Sequence, residues 1–274
     1  VAAEFVRGLG IVDDVVAFDK RGDHRTAAGR RELVASLNID GPKTAIVPHK
    51  SLRTMLLVKG LKAERVVTYA DAAARWIATD TVPYPVHLHD VVRHLTLLEP
   101  LFERVPSITE LLPISICTEA DAAVVSAIVP EVSGSLVVLA PGSAWPTKQW
   151  PAEKYRALAE MLVHSGIQVA VLGDATTQGI VQGRAGVEDL SGRTTLRQAA
   201  ALIARANVVV SNDSAPVHLA SLQHVPVVAV FGPTVPEFGF APFGPNGRVI
   251  EQKELACRPC SAHGTATCPL GTHE

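Results

Sequence analysis

Short runs of β-branched and other apolar residues alternate with amphipathic stretches along most of the chain. The runs DDVVAF (13–18), KTAIVP (43–48), ERVVTY (64–69), SLVVLAPG (135–142), IQVAVLGD (167–174), ANVVVSN (206–212) and VPVVAVFGP (225–233) predict strands. Between them, stretches such as AEKYRALAEMLVHSG and TLRQAAALIARA repeat their apolar positions every three or four residues, the period of a helix with one buried face. Strands that are apolar throughout need cover on both faces, so the alternation predicts parallel sheets in a doubly wound α/β architecture. Neither a solenoid-length repeat nor a low-complexity segment interrupts it.

The stretch EPLFERVPSITELLPISICTEADAAVVSAIVPEVSG breaks the rhythm with several prolines and no strand pattern. It divides the chain into an N-terminal domain over 1–115, a linker over 116–133 and a C-terminal domain over 134–274. Two Rossmann-like domains facing one another would hold a ligand in the cleft, beside the carboxyl ends of their strands.

Composition narrows the ligand. Hydrophobic residues make up 47 % and charged residues 19 %, the balance of a soluble globular protein, and no apolar run approaches the length that crosses a bilayer. The formal charge of −2 argues against non-specific nucleic-acid binding, which needs a basic excess to release counterions. An anionic ligand must therefore be met by local groups. The opening residues lack the basic and then apolar order of a signal peptide, which makes a cytoplasmic location the expectation. With no initiator methionine and an ending at CPLGTHE, both termini read as cut.

Several segments carry candidate chemistry. In SLVVLAPGSAWPTKQWPAEKYRALAEML a strand ends at Ala140, Pro141 to Ser143 turn the chain, and a helix starts near Pro151. Ser143, Thr147 and Lys148 in that loop form a phosphate cradle or, equally, an ordinary polar loop. In VVVSNDSAPVHLAS the strand ends near Ser211, Asp213 is suited to cap a helix, and the helix runs on from Ser214. Free amides and the dipole at that end suit an anion; Ser214 and Ala215 allow close approach, Asp213 suits a sugar hydroxyl, and His218 suits a phosphate oxygen. Plain capping and a buried histidine account for the same residues.

Gly173-Asp174 ends a further strand where carboxylates often meet a ribose, and the turn Gly192-Arg193-Thr194-Thr195 precedes a helix that Thr195 could cap, with room for a base. Neither loop is a GxGxxG fingerprint, which argues against a dinucleotide dehydrogenase. In the N-terminal part, His49, Lys50, Ser51 and Arg53 cluster at a strand end and would suit an anionic acceptor, or a solvated helix surface. Finally, Cys257, Cys260, Cys268 and His273 stand in a C-x2-C-x7-C-x4-H order compatible with structural zinc or with a reduced cysteine-rich loop, while Cys117 stands alone.

Taken in order, LAPGSAWPTKQWPAEKYRALAEML, LSGRTTLRQAAALIARANVVVSNDSAPVHLAS and PVVAVFGPT resemble glycosyltransferase family 9, the ADP-heptose:lipopolysaccharide heptosyltransferases. PHKSLRTMLL, TDTVPY, HDVVRHL and the CRPC...CPLGTH ending are similar to its heptosyltransferase II branch. The resemblance implies a GT-B fold with an N-terminal acceptor domain and a C-terminal donor domain. It also implies inverting transfer of a heptose from ADP-heptose to the inner core of lipopolysaccharide, with no metal needed for catalysis. Lys148 and Asp213 would be the catalytic pair; Ser143 and Lys148 would meet the donor diphosphate, and Asp213 the sugar hydroxyls. Ser214, Ala215, Pro216 and His218 would border the diphosphate, with Gly192 to Thr195 beside the adenine. Asp174 remains a donor-site residue, and Gln178 stands where some relatives place a ribose-binding carboxylate. The family's general base lies in a loop after the first N-terminal strand, and both are expected to be missing here. Peripheral contact with the cytoplasmic face of the inner membrane is a further expectation. The rival readings are a GT-B enzyme using another nucleotide sugar, a non-catalytic nucleotide-sugar-binding module and a zinc-stabilised interaction protein.

Overall fold

Apolar runs and helical stretches settle into two parallel sheets in the computed structural model, which describes residues 2–38, 44–111, 116–130, 134–181, 186–268 and 270–271. The chain divides into two compact units, Val15–Glu110 and a second formed by Val1–Asp14 with Leu111–Glu274. Helix α1 (Ala2–Arg7) thus groups with the C-terminal part rather than with 1–115: Phe5 and Leu9 pack against its core.

The unit Val15–Glu110 holds α2 (Ala27–Leu37), β1 (Thr44–Val47), α3 (Leu52–Lys59), β2 (Arg65–Tyr69), β3 (Asp80–Val82) and α4 (Asp90–Thr96). Its described strands run parallel in the order β1-β2-β3, with Thr44 opposite Arg65 and Val67 opposite Asp80. Successive residues of β2 face opposite sides: Val66 packs with Val47, Met55 and Val58, and Val67 with Tyr69, Val82 and Leu97. Tyr69 is fully buried and donates to the Arg93 carbonyl at 2.9 Å; burial pushes its phenol up to about 12.

Helix α5 (Ile108–Leu111) spans the boundary, and the C-terminal unit continues with α6 (Glu119–Ile128), β4 (Leu136–Ala140), α7 (Ala152–His164) and β5 (Gln168–Val171). It is completed by β6 (Val187–Asp189), α8 (Leu196–Arg205), β7 (Val208–Asn212), α9 (Ala215–Leu222), β8 (Val227–Phe231) and β9 (Gly247–Glu251). The six strands are all parallel, in the order β6-β5-β4-β7-β8-β9. The sheet starts at β4 and winds outward both ways, so its switch point lies between β4 and β7. Every residue of β4 is buried, Val138 with one core cluster and Val137 and Leu139 with the other, at roughly 1.5 to 3 kcal/mol per large apolar side chain. This is the double cover that the sequence pattern demanded.

Three expectations change. DDVVAF joins no sheet among the described residues, and Val16 stays 46 % exposed; a sheet strand of this composition would be buried. The 116–133 stretch is largely structured: Thr118 and Asp121 form a capping box for α6, and Val125 and Val129 are fully buried in the C-terminal core. Strands β3, β6 and β9 were not foreseen; each closes an edge of its described sheet and needs no continuous apolar run. Among the described residues no helix is long and apolar enough to cross a membrane.

Candidate functional site

Open parallel sheets bind ligands where the strand order reverses, because the loops leaving the two central strands part there. Here those loops follow β4 and β7. Asn212, the last residue of β7, is fully buried and ties them together. Its Oδ1 accepts from the Trp150 amide at 2.9 Å and the Tyr155 hydroxyl at 3.1 Å, while Nδ2 donates to the Pro141 carbonyl at 2.7 Å. The β4 loop is thereby fixed at both ends.

Within that loop, a 3-10 turn over Pro146–Lys148 brings Lys148 to Asp213: Nζ donates to Oδ2 at 2.5 Å, with side chains only 13 % and 7 % exposed. Thr234, 2 % exposed, donates to the same oxygen at 2.7 Å. Both hydrogen bonds to the carboxylate among the described residues fall on Oδ2, which leaves Oδ1 uncommitted. Asp213 therefore does not cap the helix. The N-cap of α9 is Ser214, one residue later than expected, and no side chain caps the helix. The physical reason is competition: the buried ammonium holds the carboxylate more strongly than a backbone amide would. Pro216 lies in the first turn and Ala215 opens it, with His218 half-buried one turn on. Ser143 accepts weakly from the Trp145 amide at 3.4 Å, and its carbonyl takes the Gln149 side chain.

The neighbouring loops after β5 and β6 meet each other. Gly192 has φ +72, a left-handed conformation that glycine adopts without strain, and a Cβ there would approach the Ala175 backbone to 3.1 Å. Its amide donates to the Gly173 carbonyl at 2.9 Å. Asp174 accepts from the side chain and amide of Thr176, and these bonds hold its carboxyl below the usual carboxylate value. Gln178 is exposed beyond that turn; Arg193 donates to the Asp189 carbonyl, Thr194 is half-buried, and Thr195 caps α8 in a capping box with Gln198. Ribose-side and base-side candidates thus adjoin.

In the unit Val15–Glu110, His49, Lys50 and Ser51 lie at the carboxyl end of β1, as expected. Ser51 caps α3, and the His49 ring lies 2.9 Å from Thr54 Oγ1. Lys50 pairs with Asp71 at 2.9 Å and sits 3.6 Å over the Tyr84 ring. Arg53 lines a groove of about 690 Å³ between α2 and α3, with Arg30, Arg31, Leu52 and Leu56.

A family model described as glycosyltransferase family 9 (heptosyltransferase) matches residues 30–270. The chain belongs to glycosyltransferase family 9. It is 34 % identical to lipooligosaccharide heptosyltransferase 2 of Haemophilus influenzae over 113 residues, 38 % of this chain and 33 % of that protein. It is also 34 % identical to lipopolysaccharide heptosyltransferase 2 of Salmonella typhimurium over 125 residues, 42 % of this chain and 36 % of that protein. The matched stretch spans about a third of the length of these curated relatives. Among solved structures, the family 9 glycosyl transferase of Veillonella parvula superposes with a TM-score of 0.77 at 26 % identity, covering 89 % of this chain and 73 % of that one. E. coli heptosyltransferase WaaC with ADP superposes with a TM-score of 0.73 at 21 % identity, covering 96 % and 84 %. The fold class is α/β of the GT-B type.

Two residues of this family 9 chain carry more of the site than sequence reasoning gave them. Asn212 and Thr234 lie inside the quoted motifs SNDS and VFGPT, but a buried amide or hydroxyl has no sequence signal until its partners are known. The candidate metal set of Cys257, Cys260, Cys268 and His273 is described only in part. Among the described residues no three His, Cys, Asp or Glu side chains are grouped to hold a metal ion. Cys260 instead turns its thiol onto the Cys257 carbonyl at 3.4 Å, a bond available within the tight CRPC turn. Cys268 is half-buried, and His273 lies outside the described residues.

Proposed function

We propose that this family 9 protein is an inverting glycosyltransferase that moves a heptose from ADP-heptose to an inner-core lipopolysaccharide acceptor. The observation that carries the reading is the Lys148–Asp213 pair at the switch point, beside a helix end that no side chain caps. Family membership and the names of the curated relatives support the choice of sugar.

Charge builds on the departing diphosphate as the glycosidic bond breaks. The Lys148 ammonium and the first amides of α9 meet that charge without needing to reorganise, because Asn212 fixes the loop and Thr234 the carboxylate that hold them. Asp213 offers Oδ1 to a sugar hydroxyl, and Lys148 neutralises its charge, so that carboxylate and diphosphate can lie close together. Ser143, Pro216 and His218 border the phosphates, and the Asp174, Gln178 and Gly192 to Thr195 loops take the ribose and adenine. The acceptor hydroxyl attacks the anomeric carbon opposite the leaving group; its proton acceptor is assigned to no residue of this chain.

On the acceptor side, His49, Lys50 and Ser51 meet an anionic glycolipid at the β1 end. Leu52 and Leu56, 50 % and 53 % exposed beside Arg30, Arg31 and Arg53, rest on an anionic membrane surface.

Calorimetric titration with ADP, UDP and GDP tests the donor side. ADP is expected to bind most tightly, and Lys148→Ala to weaken it by roughly tenfold or more, the weight of a charge-assisted hydrogen bond. Equal affinity for the three nucleotides would remove the ADP reading, and unchanged ADP affinity in the variant would remove Lys148 from the donor site.

A further inference from the structure

The cysteine-bearing loop has found no role so far, yet it lies directly on the Lys148 turn. Thr147 and Thr265, 118 residues apart, bond to each other like a short ladder. Thr147 Oγ1 donates to the Thr265 carbonyl at 2.7 Å and accepts from the Thr265 amide at 2.9 Å. Between Cys260 and Thr265, Ser261 Oγ bonds the amide and the carbonyl of Gly264, fixing a turn in which Gly264 has φ +92. A Cβ at Gly264 would sit 3.0 Å from Trp145 Cβ and 3.1 Å from Lys148 Cγ. The strap therefore covers the aliphatic stem of the lysine.

Its other end holds the residue behind Asp213. The Cys260 amide donates to the Pro233 carbonyl at 2.9 Å. Arg258, only 5 % exposed, donates to the Thr234 carbonyl at 2.5 Å and pairs with Glu251 at 2.9 Å. Thr234 in turn fixes Asp213 Oδ2.

From this double grip we infer that residues 257–265 form a strap that positions the Lys148–Asp213 pair, with Thr147, Thr234 and Gly264 as its positioning residues. The inference rests on the donor-site reading for what the pair does, but not for how it is held. Without the strap, the Lys148 stem loses the cover of Gly264 and its turn loses the Thr147–Thr265 bonds, while the segment that carries Thr234 loses its hold from Cys260 and Arg258. With it, both charges wait in the geometry that a diphosphate sugar needs.

Competitive acetylation by acetic anhydride, mapped by mass spectrometry, reads the positioning without any ligand. Lys148 is compared with exposed Lys154 on α7 of the same molecule. Relative to Lys154, labelling of Lys148 is expected to rise about tenfold in Thr147→Val and in Thr234→Val, the equilibrium weight of about one lost hydrogen bond. Thr147→Ser and Thr234→Ser keep the hydroxyl and are expected to stay at the wild-type ratio. Gly264→Ala, which alters no hydrogen-bonding side chain, is expected to raise it as well. Unchanged labelling in the valine variants, or an equal rise in the serine variants, overturns the inference. Added ADP is expected to protect Lys148 in the wild type; failure to protect would count against the donor-site reading while the variant ratios still decide the strap.

Discussion

Replacing Asn212 by leucine removes the staple between β4 and β7 while keeping the same branched arrangement of side-chain heavy atoms. The amide makes three hydrogen bonds of 3.1 Å or shorter, to the Trp150 amide, the Tyr155 hydroxyl and the Pro141 carbonyl. Tyr155 keeps a poor alternative, the Ala140 carbonyl at 3.4 Å, but the Trp150 amide and the buried Pro141 carbonyl lose their partner in the staple. At about 1 to 3 kcal/mol for each stranded buried group, and less for Tyr155, Asn212→Leu is expected to cost about 3 to 5 kcal/mol. Tyr155→Phe removes one neutral bond and is expected to cost about 1 kcal/mol. The double variant should cost less than the sum by about that amount, because both changes delete the same contact. Urea unfolding followed by tryptophan fluorescence, with circular dichroism in parallel to separate the two units, measures all three. A cost below about 1 kcal/mol for Asn212→Leu, or strict additivity, would refute the reasoning and leave the β4 loop held by its backbone alone.

Three further outcomes follow from the same geometry. The bonds from Thr176 hold the Asp174 carboxyl below its ordinary value, so their stabilisation is present above the unfolded value and lost as pH falls through the folded one. A carboxyl-carbon NMR titration should give a midpoint below 3.8 for Asp174, moving upward in Thr176→Ala; an unmoved midpoint would mean that Thr176 is not the cause. Burial, with Cys257 next in effect, raises the Cys260 thiol above 9.0, so less thiolate is present at any given pH. Its alkylation by iodoacetamide at pH 8 should lag behind that of free cysteine and climb as pH increases; a rate equal to that of free cysteine at pH 8 would contradict this burial. In the unit Val15–Glu110, the groove between α2 and α3 should make the protein co-sediment with phosphatidylglycerol vesicles at low salt more than with phosphatidylcholine vesicles, and Arg31→Ser with Arg53→Ser should abolish the difference. Equal sedimentation with both lipids would sink the membrane contact.

Local pattern served well wherever a strand is buried on both faces. The runs at β2, β4, β5, β7 and β8 were legible because central parallel strands must be apolar throughout, and β1 was legible by its apolar run although it lies at an edge of its described sheet with only Val47 buried. It failed at β3, β6 and β9, which sit at edges of their described sheets: β3 buries only Val82, and β6 and β9 only half-bury alternate positions. It failed differently at DDVVAF, where the pattern of a strand is present but the run joins no sheet among the described residues. For the site, Lys148, Asp213 and the Gly192 turn were visible as unusual chemistry at strand ends. The capping role given to Asp213 was wrong, since a lysine 65 residues away claims its carboxylate.

The sequence by itself determined the alternation of strand and helix and the residue types delivered at each carboxyl end, because both follow from periods of a few residues. Only the tertiary structure decided which ends meet. The order β6-β5-β4-β7-β8-β9 puts the Lys148 loop beside Asp213, sets Thr234 behind it and folds Thr265 back onto Thr147. It also joins α1 to the far end of the chain. Such contacts arise from strand pairing and burial across tens to hundreds of residues, and no local stretch carries a signal for a partner that distant.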